Sequence, residues 1–234
     1  MIYTRKEAEH IVSVSSFVLE RETLMKYTTP DEKENIETLK QEISLAALNK
    51  IAGVLKDPMI MSLMKKLIKY DEYTFIHSIS VAEKSYKIGM TLDMNDDEMQ
   101  DLLYASILHD VGKMFIPAEV LNSNKKLNNY EFDVIKMHAE IGADYIKKLR
   151  VFSDRVVEAI RYHHEDYNGL GYYGLKGKEI SIFARIIRIA DTFSAMTDNR
   201  CYHKGKLPQI VIEEMKSFDS IDKILFEKAA KIMR

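Results

Sequence analysis

Five of the seven histidines fall in one ordered series: His77, His109 followed at once by Asp110, His138, and the doublet His163-His164, with Asp191 closing it downstream. Imidazole and carboxylate are ligands for first-row transition metals. A lone histidine on an apolar face is more often a hydrogen-bonded core residue than a ligand. The joint pattern points elsewhere, because burying carboxylates such as Asp110 and Asp191 without partners costs on the order of several kcal/mol each, and a shared cation removes that cost. The series therefore predicts a metal centre.

The elements that must position these residues read as helices nearly throughout. The chain has four prolines and nine glycines, and Gly169, Gly171, Gly174 and Gly177 fall in one short stretch, so the pattern is long helices with one special loop. The predicted fold is all-α, with helices at 33–56, 59–69, 73–91, 96–109, 129–149, 153–165, 179–198, 207–217 and 221–232. Asn128, followed by Glu131, has the form of a capping box at the start of one of them. His77 lies four residues after Tyr73 and four before Val81, and Asp191 four after Ile187 and four before Ala195, which places each on an inward stripe. His163 and His164 end a helix whose inner face carries Val156, Val157 and Ile160. Adjacent residues on a helix point about 100° apart, so His109 and Asp110 reach one centre only at a helix end or distortion, and Gly112 is predicted to supply that ending.

Composition bounds the remaining classes. A chain of 234 residues suffices for one sizeable core, read here as residues 61–234, with residues 1–60 as a more polar helical appendage that includes a solvated His10. The net charge of −2, from 34 basic and 36 acidic residues, provides no global field for duplex nucleic acid. The lone Cys201 forms no internal disulfide and argues against a thiolate-rich zinc site. No run of about 18 apolar residues is present and the first residues lack the apolar core of a signal peptide, so the chain is read as cytoplasmic with no membrane partner.

With these residues in place the chain resembles the HD phosphohydrolase superfamily, whose H…HD…D signature is matched by His77, His109-Asp110 and Asp191. Further elements resemble the HD-GYP branch: His109-Asp110-Val111-Gly112-Lys113 followed by Ile116-Pro117, His138 with Gly142, the run His163-His164-Glu165-Asp166-Tyr167-Asn168-Gly169-Leu170-Gly171-Tyr172-Tyr173, and Arg188-Ile189-Ala190-Asp191 leading to Arg200 and Tyr202. The resemblance runs from about residue 70 to about residue 220. It implies an HD-domain helical bundle with the metal centre in its core, acting as a cyclic di-GMP phosphodiesterase. Carried over position by position, the implied ligands are His77, His109, Asp110, His138, His163, His164 and Asp191, with Asp110 bridging two metals, while Lys113 and Arg200 hold phosphate. The implied cofactor is two divalent ions, iron or manganese, with zinc also compatible with the donor set. Two cations roughly 3.5–4 Å apart can generate a bridging hydroxide near neutral pH and neutralise charge on phosphoryl oxygens.

Several positions depart from the family pattern. Gly-Tyr-Pro is here Gly171-Tyr172-Tyr173, which loses the fixed φ of proline. The Arg after His-His-Glu is Asp166, the Asp before Gly is Asn168, the Asp three residues after the ligand Asp is Ser194, and the Pro after Arg200 is Cys201. The Glu that trinuclear members carry one turn before the first His is Tyr73, so two metals are expected and not three. No departure removes a binuclear ligand, which favours retained catalysis.

The supporting residues admit plainer readings. Lys113 could be a charge near a helix end and Arg200 a surface ion pair. Tyr172 and Tyr173 could stack on guanine or pack under the loop, and the Gly169–Gly177 loop could be a connection, a substrate lid or a docking surface for a diguanylate-cyclase-type or other signalling partner. Partners under the catalytic reading are a cyclic dinucleotide substrate and a second copy in a homodimer. The competing reading is a non-catalytic module that senses a nucleotide or binds a partner.

Overall fold

The computed structural model describes residues 32–121, 123, 125, 127–198 and 205–233, with side chains from residue 44 on. The described residues form an all-α protein without strands: α1 (Glu32–Leu55), α2 (Pro58–Tyr70), α3 (Glu72–Gly89), α4 (Asp96–Leu108), a 3₁₀ turn at Val111–Phe115, α5 (Ala118–Leu121), α6 (Asn129–Leu149), α7 (Asp154–Tyr162), a 3₁₀ turn at Gly177–Glu179, α8 (Ile182–Thr197), α9 (Pro208–Met215) and α10 (Lys223–Ala230).

Helix α3 is the hub, packing against α1, α2, α4 and α8, while α6 and α7 close the other side through α4, α8 and the first 3₁₀ turn. One apolar core joins these elements: Val81, Ala82 and Ile88 of α3 meet Leu102 and Leu103 of α4, Ile146 of α6, Ile160 of α7 and Ile187 of α8. The second half of α1 adds Ala47, Ile51 and Val54 to the same core.

Local chemistry sets where the ligand-bearing helices begin. Asp71 ends α2 and caps α3, its carboxylate accepting from Tyr73 N and Thr74 N at 3.1 Å each, so the chain turns sharply just before His77. Asn128 and Glu131 form the expected capping box at the start of α6, which observes the predicted limits 129–149. Such a cap contributes about 1 kcal/mol.

The structure departs from the sequence reading at two ends. The helix expected over 153–165 stops at Tyr162, because the N–H of Glu165 returns to the Tyr162 carbonyl at 2.9 Å in a tight turn that takes His163, His164 and Glu165 off the helix. The helix expected from 179 begins at Ile182, since Gly177–Glu179 forms its own turn and the Ser181 hydroxyl accepts the Ala184 N–H at 3.3 Å as the cap. Gly112 also acts differently from expectation: α4 already ends at Leu108, and a Cβ on Gly112 would lie 1.9 Å from the His138 carbonyl oxygen. Its bare Cα lets the His109-Asp110 turn pack backbone against backbone on α6; it is not a left-handed cap.

Candidate metal centre

Each ligand candidate comes from a different part of this frame. His77 lies on α3, His109 is the C-cap of α4, His138 lies on α6, His163 is the C-cap of α7, His164 follows it, and Asp191 lies on α8. Asp110 sits at the break between α4 and the 3₁₀ turn with φ −98° and ψ 6°, a sparsely populated region common at functional sites. That break lets neighbouring His109 and Asp110 face one centre. His77, His109, Asp110, His138 and His163 are buried, while His164 and Asp191 are partly open and mark the side facing solvent.

The seven side chains gather into two groups in which the potential ligand atoms lie within 4.8 Å of one another: Asp110, His138, His163 and His164 in one, and His77, His109 and Asp191 in the other. Asp110 reaches both. Its Oδ1 lies 3.2 Å from His138 Nε2 and its Oδ2 lies 3.2 Å from His109 Nε2.

The imidazoles are aimed by their other nitrogen. Nδ1 of His109 meets the Ser106 carbonyl at 2.8 Å, Nδ1 of His138 the Ile135 carbonyl at 2.6 Å, and Nδ1 of His163 the Ile160 carbonyl at 2.7 Å. A carbonyl only accepts, so each Nδ1 carries a hydrogen, and the neutral form of each ring presents its Nε2 lone pair inward. Burial, together with the neighbouring His164, His109 and His138, holds His163 well below its ordinary pKa. Burial likewise lowers His164 to about 3. Both rings are therefore neutral near pH 7, the form that binds metal. Asp110 is the opposite case: burial pushes its pKa up, but the Lys113 ammonium, which donates to Oδ2 at 2.6 Å, holds the carboxyl well below the usual range. Asp191 is also lowered, burial being outweighed by the hydrogen bond and charge of His77.

This donor set fits divalent cations. It offers neutral nitrogen lone pairs and ionised oxygens converging on a buried space, and His109 Nε2 and Asp110 Oδ1 are buried without a hydrogen-bond partner among the described residues. The absence of sulfur among the donors suits iron, manganese or zinc.

The rim carries the supporting groups. Lys113 Nζ lies 2.6 Å from Asp110 Oδ2 and its side chain keeps 22% of its surface exposed, so one ammonium lies between the carboxylate and solvent. The Tyr172 ring lies 4.8 Å from that of His164, and Lys136 Nζ stands 5.5 Å over Tyr172 and 4.8 Å over Phe132. Tyr173 packs edge-on against Tyr162 at 5.3 Å. Tyr73, in the place of the third-metal Glu, stacks on His77 at 6.0 Å. Arg200 lies outside the described residues.

Four residues with roles here had none assigned from the sequence. Glu165 is buried and its two oxygens accept the Tyr173 and Leu175 N–H groups at 2.7 Å each, which folds the glycine-rich loop back over the site. Gly171 permits this, because a Cβ there would lie 2.5 Å from the Asp166 nitrogen. Arg188 donates from Nε and Nη2 to Asp166 Oδ1 at 3.1 and 2.6 Å, so the reversed charge at Asp166 is matched inside the chain. Asp198 faces His77 Nδ1 at 3.7 Å.

Comparison with known proteins agrees with this architecture. A family model for the HD domain matches residues 54–222. A cyclic di-GMP phosphodiesterase of Pseudomonas aeruginosa is 35% identical over 155 residues, 66% of this chain and 37% of that protein. A 3'3'-cGAMP-specific phosphodiesterase of Vibrio cholerae is 38% identical over 133 residues, 56% of this chain and 30% of that protein. The chain thus spans roughly a third of the length of these curated relatives. Among solved structures, an HDG"Y"P protein from Bdellovibrio bacteriovorus superposes with a TM-score of 0.60 at 17% identity, over 99% of this chain and 81% of that one, which is a likeness of fold.

Proposed function

This chain belongs to the HD domain family, and from that premise we propose that it is a metal-dependent phosphodiesterase that hydrolyses cyclic di-GMP. The observation that carries the reading is Asp110, whose two carboxylate oxygens face the Nε2 atoms of two histidines from different ligand groups at 3.2 Å each. Asp110 would hold one cation together with His138, His163 and His164, and a second together with His77, His109 and Asp191. Iron or manganese is the proposed pair, with zinc also compatible with these donors. Two such ions supply Lewis acidity, making water a better nucleophile near neutral pH and drawing charge from phosphoryl oxygens.

The remaining work falls to side chains of the rim. Lys113, on the solvent side of Asp110, offers its ammonium to a phosphodiester oxygen, and Arg200 offers a planar guanidinium suited to the same group. Burial raises the Tyr172 hydroxyl to about 12, so it stays a neutral phenol whose ring offers a face to a purine. The loop from Gly169 to Gly177, pinned by Glu165, holds Tyr172 against His164 and is also the proposed contact for a signalling partner. Support for a cyclic dinucleotide comes from the relatives, whose names specify cyclic di-GMP and 3'3'-cGAMP.

The test is anaerobic purification, elemental analysis and a product assay on cyclic di-GMP, 3'3'-cGAMP and cyclic di-AMP. Close to two metals per chain with cyclic di-GMP cleaved fastest is the expected result. A two-metal protein that cleaves none of the three replaces the enzyme with a nucleotide sensor.

A further inference from the structure

His77 differs from His109, His138 and His163 in how its second nitrogen is held. Those three give Nδ1 to a backbone carbonyl three residues earlier. His77 instead turns Nε2 to Asp191 Oδ1 at 2.8 Å and points Nδ1 at Asp198 Oδ2, 3.7 Å away. Both of these facing atoms are buried, and neither has a hydrogen-bond partner within ordinary reach among the described residues. The carboxylate of Asp198 is held from behind: Ser80 Oγ donates to its Oδ1 at 3.0 Å, Lys84 Nζ donates to Ser80 Oγ at 2.8 Å, and the Asp198 N–H binds the Ser194 carbonyl at 2.8 Å.

We infer that Asp198 is a positioning residue that orients His77 toward the metal centre by accepting a hydrogen bond from its Nδ1–H. The inference rests on the metal-centre reading above. With Nε2 given to a cation, the ring hydrogen would reside on Nδ1, and among the described residues the carboxylate facing that atom is Asp198, 3.7 Å away. The arrangement also explains Ser194. A carboxylate missing three residues after Asp191 is supplied one turn later at Asp198, and the Ser80 hydroxyl, which lies 3.3 Å from Ser194 Oγ, anchors it.

The test uses the full chain stripped of metal and titrated with manganese, followed by calorimetry and by electron paramagnetic resonance of the free ion. Asp198→Ala is expected to weaken one site on the order of 10- to 100-fold, the range for losing an outer partner of a ligating histidine. Asp198→Asn keeps an acceptor oxygen and is expected to recover most of that loss. In the zinc-loaded parent, nitrogen NMR is expected to show His77 protonated at Nδ1, and this readout decides the matter even where Asp198→Ala fails to fold. A parent that carries the hydrogen on Nε2 overturns the inference. So does Asp198→Ala with parental manganese affinity; if His77→Ala then still loses a site, the ligand assignment stands, and if His77→Ala also binds like the parent, the metal-centre reading falls with it.

Discussion

The Nε2 atoms of His138 and His163 face one another at 3.3 Å. Both rings give their Nδ1 hydrogen to a backbone carbonyl, so each facing nitrogen presents a lone pair when its ring is neutral. Two lone pairs at this distance in a buried site repel unless something positive lies between or beside them. With Asp110 Oδ1 next to them, the arrangement suits one half of a coordination shell.

Metal should therefore stabilise the fold measurably. At a free manganese concentration about 100 times Kd, linkage gives about 2.7 kcal/mol, which for a chain of this size raises Tm by about 5–10 °C over the chelated protein. Asp110→Ala should lose most of that rise, bind less metal and show no turnover. Differential scanning fluorimetry with elemental analysis checks this, and unchanged metal content in Asp110→Ala would refute the bridging assignment.

Metal affinity should also rise with pH. Burial opposes the charged form of His77, but the hydrogen bond to Asp191 and the nearby Asp198 carboxylate outweigh it and raise the metal-free pKa to about 9. A raised folded-state pKa contributes stability that is complete below the unfolded value of about 6.5 and is lost as pH rises through about 9. A cation competes with that proton, so binding at the His77 group strengthens between about pH 6.5 and 9 and then levels. Manganese titrations across this range test the sign; an affinity that is flat or falls with pH would show that His77 is not protonated in the metal-free site.

The ligand residues were legible in the sequence because histidine and aspartate declare their chemistry by type, and helical spacing put His77 and Asp191 on inward stripes. Asp198 was not, since its role depends on α3 and α8 lying side by side, a pairing that no local pattern records. The same holds for Asp166, which reads as a charge reversal in one dimension and as the partner of Arg188 in three. The end of α7 is hidden in the sequence because Val156, Val157 and Ile160 continue a helical period, while the helix stops in the tight turn from Glu165 N–H to the Tyr162 carbonyl, and Glu165 then binds the N–H groups of Tyr173 and Leu175, eight and ten residues downstream. Gly112 was recognised as special for the wrong reason: contact with α6 is a tertiary event, and a turn after a helix is the local signal that glycine more commonly gives.

Restoring the family proline at Tyr173 should destabilise the loop. Proline would regain a fixed φ, worth about 0.4–1 kcal/mol where the backbone suits it. It would also delete the N–H that Glu165 Oε1 accepts at 2.7 Å, and a hydrogen bond to a buried charged acceptor contributes about 1.5–3 kcal/mol. The second effect is larger, so Tyr173→Pro is expected to lose about 1–2 kcal/mol net. Urea unfolding measures the difference. A Tyr173→Pro protein more stable than the parent would mean that Glu165 finds another donor and that the Tyr173 N–H is not what pins the loop.

Replacing the rim cations should separate metal binding from turnover. Lys113 touches Asp110, but an ammonium has donors only and is not a metal ligand, and its side chain reaches the solvent side of the site. Lys113→Ala and Arg200→Ala are each expected to keep the parental metal content. A charge-assisted contact to phosphate contributes about 1.5–3 kcal/mol, so kcat/KM on cyclic di-GMP should fall about 10- to 150-fold in each variant. The decline should be strongest at limiting substrate, where binding to the transition state is read against free enzyme. In a nucleotide sensor the same substitutions would weaken cyclic di-GMP binding with no turnover to lose, which equilibrium dialysis distinguishes from the enzyme. If both variants hydrolyse cyclic di-GMP at the parental kcat/KM, the phosphate lies elsewhere, and Lys136, poised over Tyr172 and Phe132, becomes the next cation to replace.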